Sequence, residues 1–224
     1  MNGARRPVFL LDVDNTLLDN DRIEEDLKDY LDQSLGAECR RDYWSIFEDL
    51  RTELGYADYL GALQRYRVEH PREPSILRIS SFLIDYPFAE RLYTGALETI
   101  GRLWNLAPTV ILSDGDAVFQ PRKVRRSGIW EAVAGRVLIY VHKEQMLEDV
   151  ERKYPADHYV QVDDKVRILA AMKDAWKERL TTVFIRQGHY AADRRTLSQY
   201  PPADFTIDTI QELLGAEFLE TLGL

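Results

Sequence analysis

Two aspartates, Asp12 and Asp14, stand one residue apart directly after four apolar residues in the stretch "VFLLDVDNTLLDND", Val8 to Asp21. In an extended chain the side chains of residues i and i+2 face the same side, about 6–7 Å apart. Two carboxylates so placed repel each other and lose hydration unless a bound cation or a basic side chain lies between them. Three further stretches carry groups of complementary chemistry. They are Ser113 with Asp114, Gly115 and Asp116; His142 with Lys143; and the pair Asp163 and Asp164. One aspartate after a strand is ordinarily a helix cap or a turn residue. Four strand ends that offer carboxylates, a hydroxyl and an amine are not explained by capping.

The elements that must bring these groups together follow from hydrophobic spacing. Val8, Phe9, Leu10 and Leu11 read as a fully buried parallel strand. From Asp21 to about Tyr86 the pattern is helical: Ile23, Leu27, Tyr30, Leu31 and Leu35, then Tyr43, Phe47, Leu50 and Leu54, then Tyr59, Leu60 and Leu63. Pro71 and Pro74 break the third helix, and a fourth runs from about Ser75 to Ile84. Strands and helices alternate afterwards. "PTVILSD", "RVLIYV", "HYVQVDD", "TTVFIR" and "DFTI" read as strands. "ALETIGRLW", "AVFQPRKVRRSG", "KEQMLEDVERKY" and "KVRILAAMKDAWKERL" read as helices. The alternation predicts an α/β fold, a doubly wound and mainly parallel sheet with a small all-α block inserted after its first strand. The expected division is a core of residues 1–19 and 91–224 and a helical insertion of residues 20–90. In such sheets ligands bind outside the carboxyl ends of the strands, where the four groups above fall.

Composition narrows the setting. The chain has 224 residues, a net charge of −9 and a sequence pI near 5.0, which disfavours nucleic acid or an anionic membrane as the main partner. No apolar run approaches the roughly 18 residues that span a bilayer, and "MNGARRP" is too short for a signal-peptide core. Cys39 is the single cysteine, so neither an internal disulfide nor a multi-cysteine zinc site can form. A reducing, cytoplasmic location is expected, with monomer and homodimer both open.

"DVDNT", "LSDGD", Lys143 and "VDD" resemble, in order and approximate spacing, the four signature motifs of the haloacid dehalogenase (HAD) superfamily, and the helical insertion resembles that family's cap domain. The resemblance implies a Rossmann-like core and phosphoryl transfer. Asp12 would be the nucleophile that forms an aspartyl phosphate, and Asp14 the acid that protonates the leaving alcohol and then the base that activates water. Thr16, Ser113 and Asp114 would bind phosphate, and Lys143 would neutralise nucleophile and phosphate. A Mg2+ cofactor would take Asp12, the backbone carbonyl of Asp14 and Asp163, with Asp164 a direct or indirect helper. Mg2+ and Lys143 would then offset the charge of the aspartate pair. Lys123, in "PRKVRR", competes for the lysine role, but Lys143 follows a strand of its own.

The function so implied is a Mg2+-dependent phosphomonoester hydrolase of a small phosphorylated metabolite. A phosphosugar mutase shares every core residue, and a C–halogen hydrolase would use Asp12 without needing Asp14. A non-enzymatic phospho-acceptor would order its motifs differently. Other conspicuous residues have plainer readings. "PRKVRR" reads as a solvated helix face in preference to a contact for an anionic substrate, His189 and Tyr190 as a surface turn around Gly188 in preference to a cleft wall, and Asp116 as a helix cap or a brace for the metal site. The aromatics Tyr43, Trp44, Phe47, Tyr56 and Tyr59 read mostly as core, with one or two facing substrate.

Overall fold

The computed structural model describes residues 7–224. Met1–Arg6, which include most of "MNGARRP" and the start of the first core segment, lie outside the described residues. Six strands form one parallel sheet in the order β3-β2-β1-β4-β5-β6. They are β1 (Pro7–Leu11), β2 (Thr109–Asp114), β3 (Val137–Tyr140), β4 (His158–Asp163), β5 (Leu180–Ile185) and β6 (Phe205–Ile207). The order reverses beside β1, so the carboxyl ends of β1, β2 and β4 open on one crevice.

β1 shows why an unbroken apolar run is needed at the centre of the sheet. Phe9 and Leu11 point into a cluster with Ile100, Leu103 and Val124 on one face. Val8 and Leu10 point into a second cluster with Tyr159, Ile168, Met172 and Trp176 on the other. Both faces are covered, and each large aliphatic or aromatic side chain so buried stabilises the fold by roughly 1.5–3 kcal/mol.

Four helices lie between β1 and the rest of the sheet: α1 (Asn20–Leu35), α2 (Ala37–Leu54), α3 (Tyr59–Glu69) and α4 (Ile76–Asp85). Two linkers that pair with each other lead into and out of them. The Asp19 N–H donates to the Arg91 carbonyl (2.8 Å) and the Tyr93 N–H to the Leu17 carbonyl (3.0 Å). Tyr43, Phe47, Leu50, Tyr59 and Tyr66 are buried among these helices. The remaining helices are α5 (Ala96–Leu106), α6 (Phe119–Arg126), α7 (Ile129–Ala132), α8 (Leu147–Lys153), α9 (Val166–Trp176), α10 (Arg194–Leu197) and α11 (Ala216–Thr221). Tyr59 packs its ring 5.0 Å from that of Phe119, seating the insertion on α6.

Two expected helices are shorter than their sequence pattern. The helix predicted over Lys165–Leu180 ends at Trp176, because Leu180 is buried as the first residue of β5 and Lys177 turns the chain at φ +51°. Sheet burial of one leucine outweighs the helical preference of Lys-Glu-Arg. The helix predicted from Lys143 begins as a single 3-10 turn, and α8 starts only at Leu147. Among the described residues no helix is long and apolar enough to cross a membrane.

Candidate active site

The loop after β1 is a tight knot. The Leu17 and Leu18 N–H groups both donate to the Val13 carbonyl, and Asn15 sits at φ +55°, a conformation that asparagine tolerates better than most residues. Its side-chain carbonyl accepts from the Asn20 and Asp21 N–H groups, so Asn15 caps the start of α1 while turning the chain. Asp12 and Thr16 are thereby buried at the strand end and Asp14 is turned into the cleft.

Lys143 is fully buried and ties two strand ends together. Its ammonium donates to Asp12 Oδ1 (2.5 Å) and the Leu112 carbonyl (3.2 Å), and pairs with Asp163 Oδ2 (2.7 Å). Burial by itself would strip its proton, but Asp12, Asp163 and Asp114 outweigh burial and hold its pKa far above the usual lysine range. Asp114 also fixes the backbone of this turn, accepting the Lys143 N–H at 2.7 Å. Ser113 Oγ accepts from Gln120 Nε2 (3.0 Å), and Thr16 Oγ1 lies 3.5 Å from Asp12 Oδ2.

The cation beside Asp14 is not Lys143. Lys123, 1% exposed, donates to Asp14 Oδ1 at 2.6 Å and to Asn20 Oδ1 at 2.9 Å, and Gln120 Nε2 reaches Asp14 Oδ2 at 3.3 Å. The reading of "PRKVRR" as a solvated face is therefore corrected: Arg125 and Arg126 are exposed, but Lys123 and Val124 are buried. Phe119, Gln120, Lys123 and Val124 recur at helical spacing on the inner face of α6, a signal present in the sequence and masked by the arginines around it. Gly115 makes the approach of Gln120 feasible, since a Cβ there would fall 2.5 Å from Gln120 Cβ. Asp116 does cap the start of α6, accepting from the Val118 and Phe119 N–H groups.

Asp12, Asp163 and Asp164 each bring a carboxylate oxygen within 4.8 Å of the others. Asp163 is already engaged by Lys143 and by the Lys165 N–H (2.9 Å). Both carboxylate oxygens of Asp164 are buried with no hydrogen-bond partner. Burial pushes Asp164 well above the usual carboxylate range, with Asp163 and Asp12 adding repulsion that Lys165 and Lys143 do not cancel. A buried, unpartnered carboxylate beside two others fits a divalent cation with oxygen ligands.

A cleft of about 240 Å³ opens above these groups. Asp14, Asp114, Lys123, Asp164 and Lys165 line it from the sheet side, and Asn20, Glu24, Arg51, Tyr56 and Tyr59 line it from the helical insertion. His189 and Tyr190 line it as well, so the turn around Gly188 belongs to the cleft and is more than a surface feature. His189 Nδ1 lies 2.6 Å from Asp21 Oδ1, and Arg51 donates to the Tyr190 hydroxyl at 2.8 Å. Arg51 and Glu24 carried no sequence signal, because only the packing of α1 and α2 over the strand ends brings them here.

A solved haloacid dehalogenase-like hydrolase from Burkholderia xenovorans LB400 is 62% identical, covering 94% of this chain and 98% of that one, with a TM-score of 0.91. This chain belongs to the haloacid dehalogenase-like hydrolases. Two distant HAD structures share the fold. One is the HAD-hydrolase YfnB from Bacillus subtilis, solved bound to magnesium (17% identity, 98% and 100% of the two chains, TM-score 0.61). The other is the L-2-haloacid dehalogenase from Xanthobacter autotrophicus with chloropropionic acid covalently bound (15%, 93% and 96%, TM-score 0.58). No protein-family model and no curated protein matches the chain.

Proposed function

We propose that this HAD-like hydrolase is a Mg2+-dependent phosphomonoester hydrolase acting on a small phosphorylated metabolite in a reducing, cytoplasmic setting. In this reading residues 20–90 serve as a cap over a core of residues 1–19 and 91–224. The observation that carries the metal-dependent reading is the buried Asp164 carboxylate without a protein partner, set against Asp12 and Asp163. Asp14 supports a leaving alcohol over a halide, because only the alkoxide needs a proton.

Each side chain has a definite task. Asp12 attacks phosphorus as the ester P–O bond breaks, while Lys143 holds its Oδ1 and offsets its charge. Asp14, aimed by Lys123 and Gln120, takes the proton that the phosphomonoester monoanion brings and passes it to the departing oxygen. It then takes one from the water that attacks the aspartyl phosphate, which frees phosphate and restores Asp12. Ser113, accepting from Gln120, turns its proton from a long 3.4 Å contact with the Asp114 carbonyl to a phosphate oxygen, and Thr16, 3.5 Å from Asp12, offers a second hydroxyl. A bound Mg2+ would be held by Asp12, the Asp14 carbonyl and the Asp163–Asp164 pair, Asp164 having the free oxygens, and would supply positive charge to the phosphoryl oxygens.

The test is phosphate release from a panel of phosphomonoesters, with and without Mg2+, for the wild type and Asp12→Asn. Release that needs both Mg2+ and Asp12 is expected. Chloride release from a 2-haloacid, or transfer of phosphate within the substrate without release, would replace the proposal with dehalogenase or mutase chemistry.

A further inference from the structure

Resting on the phosphatase reading, we infer that the cleft holds a second anion subsite, formed by Lys165, Tyr190 and Arg51, and that the substrate is a small phosphomonoester bearing a second anionic group, a carboxylate or another phosphate. Three observations carry this. The first is the state of the cations in the cleft. Lys143 is committed to Asp12 and Asp163, Lys123 to Asp14, and Arg167 to Glu144 at 2.9 Å. The Lys165 ammonium, by contrast, has no hydrogen bond or ion pair among the described residues. It lies 5.2 Å from the centroid of the Tyr190 ring, in the field of the Asp164, Asp12 and Asp163 carboxylates, which keep it charged despite burial without bonding it directly.

The second is how the wall is built. The ring of Tyr190 separates Lys165 from Arg51, whose Nη2 donates to the Tyr190 hydroxyl at 2.8 Å. The other guanidinium nitrogen makes only a long 3.6 Å contact with Glu48, on the exposed side of α2. Lys165 adjoins Asp163 and Asp164 in the chain, whereas Arg51 comes from the helical insertion. The two cations thus mark the reacting end and the far end of one wall, spaced by one aromatic ring. The third is the turn that places Tyr190. Gly188 adopts φ +67° and lies so close to Asn15 that a Cβ would fall 2.4 Å from the Asn15 side chain. The turn is therefore anchored to the loop that carries Asp12 and Asp14.

Glu24 is the acidic residue that the insertion adds to this cleft. It accepts from the Tyr59 hydroxyl at 3.0 Å, and its burial moves the carboxyl toward its neutral form, so it opposes an anion less than a free carboxylate would. A guanidinium that pairs with a carboxylate or phosphate forms charge-assisted hydrogen bonds, and losing one typically weakens affinity by roughly 10- to 100-fold.

The experiment uses a matched pair, 3-phosphoglycerate and glycerol 3-phosphate, which differ by a carboxylate in place of a hydroxymethyl group. A 1,3-bisphosphate identifies the case in which the second anion is phosphate. Wild-type kcat/KM should favour the carboxylate or bisphosphate ester by roughly 10- to 100-fold. Arg51→Gln should abolish that ratio, mainly through KM, while Arg65→Gln, outside the cleft, retains it. The same preference should appear in binding of the pair to Asp12→Asn, measured by calorimetry, and vanish in Asp12→Asn/Arg51→Gln. Turnover of both esters with equal kcat/KM would overturn the subsite and leave the phosphatase reading intact. Selective binding to Asp12→Asn without any turnover by the wild type would sustain the subsite and overturn the phosphatase reading.

Discussion

Replacing Lys123 by methionine isolates the least expected contact of the site. The substitution keeps an unbranched apolar stem and removes one ammonium, which lies 5.3 Å from the centroid of the Phe119 ring and donates to Asp14 at 2.6 Å and Asn20 at 2.9 Å. Removing one partner of a fully buried ion pair costs roughly 3–5 kcal/mol. Asp14 retains 25% side-chain exposure on the cleft side, so water can rehydrate part of its charge. A loss of about 2–3 kcal/mol is therefore expected, or roughly 4–12 °C in melting temperature for a chain of this size. Urea denaturation of wild type, Lys123→Met, Asp14→Asn and the double variant closes a cycle whose coupling term should be about 1–2 kcal/mol. Turnover of Lys123→Met should fall by at least tenfold even at temperatures where the protein is fully folded. If the two single effects add, or if Lys123→Met changes stability by less than about 0.5 kcal/mol, the pairing does not hold Asp14 as described.

Three further outcomes follow from other contacts. Asp164→Asn removes a buried carboxyl group whose oxygens have no hydrogen-bond partner, so the metal-free variant should melt no lower than wild type. The stabilisation that Mg2+ gives wild type, about 2.7 kcal/mol at a hundredfold excess over Kd, should shrink in the variant, as read by thermal melts with and without the metal. Gly188→Ala forces a side chain against Asn15 at positive φ and should cost roughly 1–3 kcal/mol in denaturation experiments, with a weaker affinity for substrate as Tyr190 shifts. Asp26 joins Arg91 at 2.7 Å and Arg22 at 3.1 Å and also accepts from the Tyr86 hydroxyl; burial pushes its pKa up, but these donors outweigh burial and hold it below the usual carboxylate value. A depressed folded-state pKa contributes stability above the unfolded value and loses it as pH falls through the folded one. Asp26→Asn should thus be less stable than wild type by about 1 kcal/mol at neutral pH, with the gap closing below roughly pH 4.

The parallel sheet was legible because its strands are short apolar runs that end in polar punctuation. The chemistry-bearing aspartates stand at those ends, where periodicity alone locates them. Lys143 was readable for the same reason, as the first lysine after β3. Lys123 was readable only as a rival to Lys143 for the same role, and Gln120 not at all, because they lie inside a helix whose arginines dominate its appearance, and only the inner face of α6 distinguishes them. Arg51, Glu24 and Tyr190 depend on contacts across 139 residues in the case of Arg51 and Tyr190, which no local pattern encodes. The turn at Gly188 looks like any surface turn in sequence; its closeness to Asn15 is a tertiary fact. The 3-10 turns at Lys143–Gln145 and Lys177–Arg179 also escaped reading, since residues with good helical propensity are there held by the site and by strand burial.

The central claim is that Asp12 carries the phosphoryl group. It is tested most directly by rapid quench of a single turnover in heavy-oxygen water, followed by mass spectrometry of the Asp12 peptide and of the released product. The account predicts one phosphoryl group on Asp12 during turnover, with the heavy oxygen appearing in free phosphate and none in the aspartate. Heavy oxygen in the Asp12 carboxylate would mean attack on carbon, as in hydrolysis of an alkyl ester intermediate, and would contradict it; so would phosphate release without any phosphoryl group on Asp12.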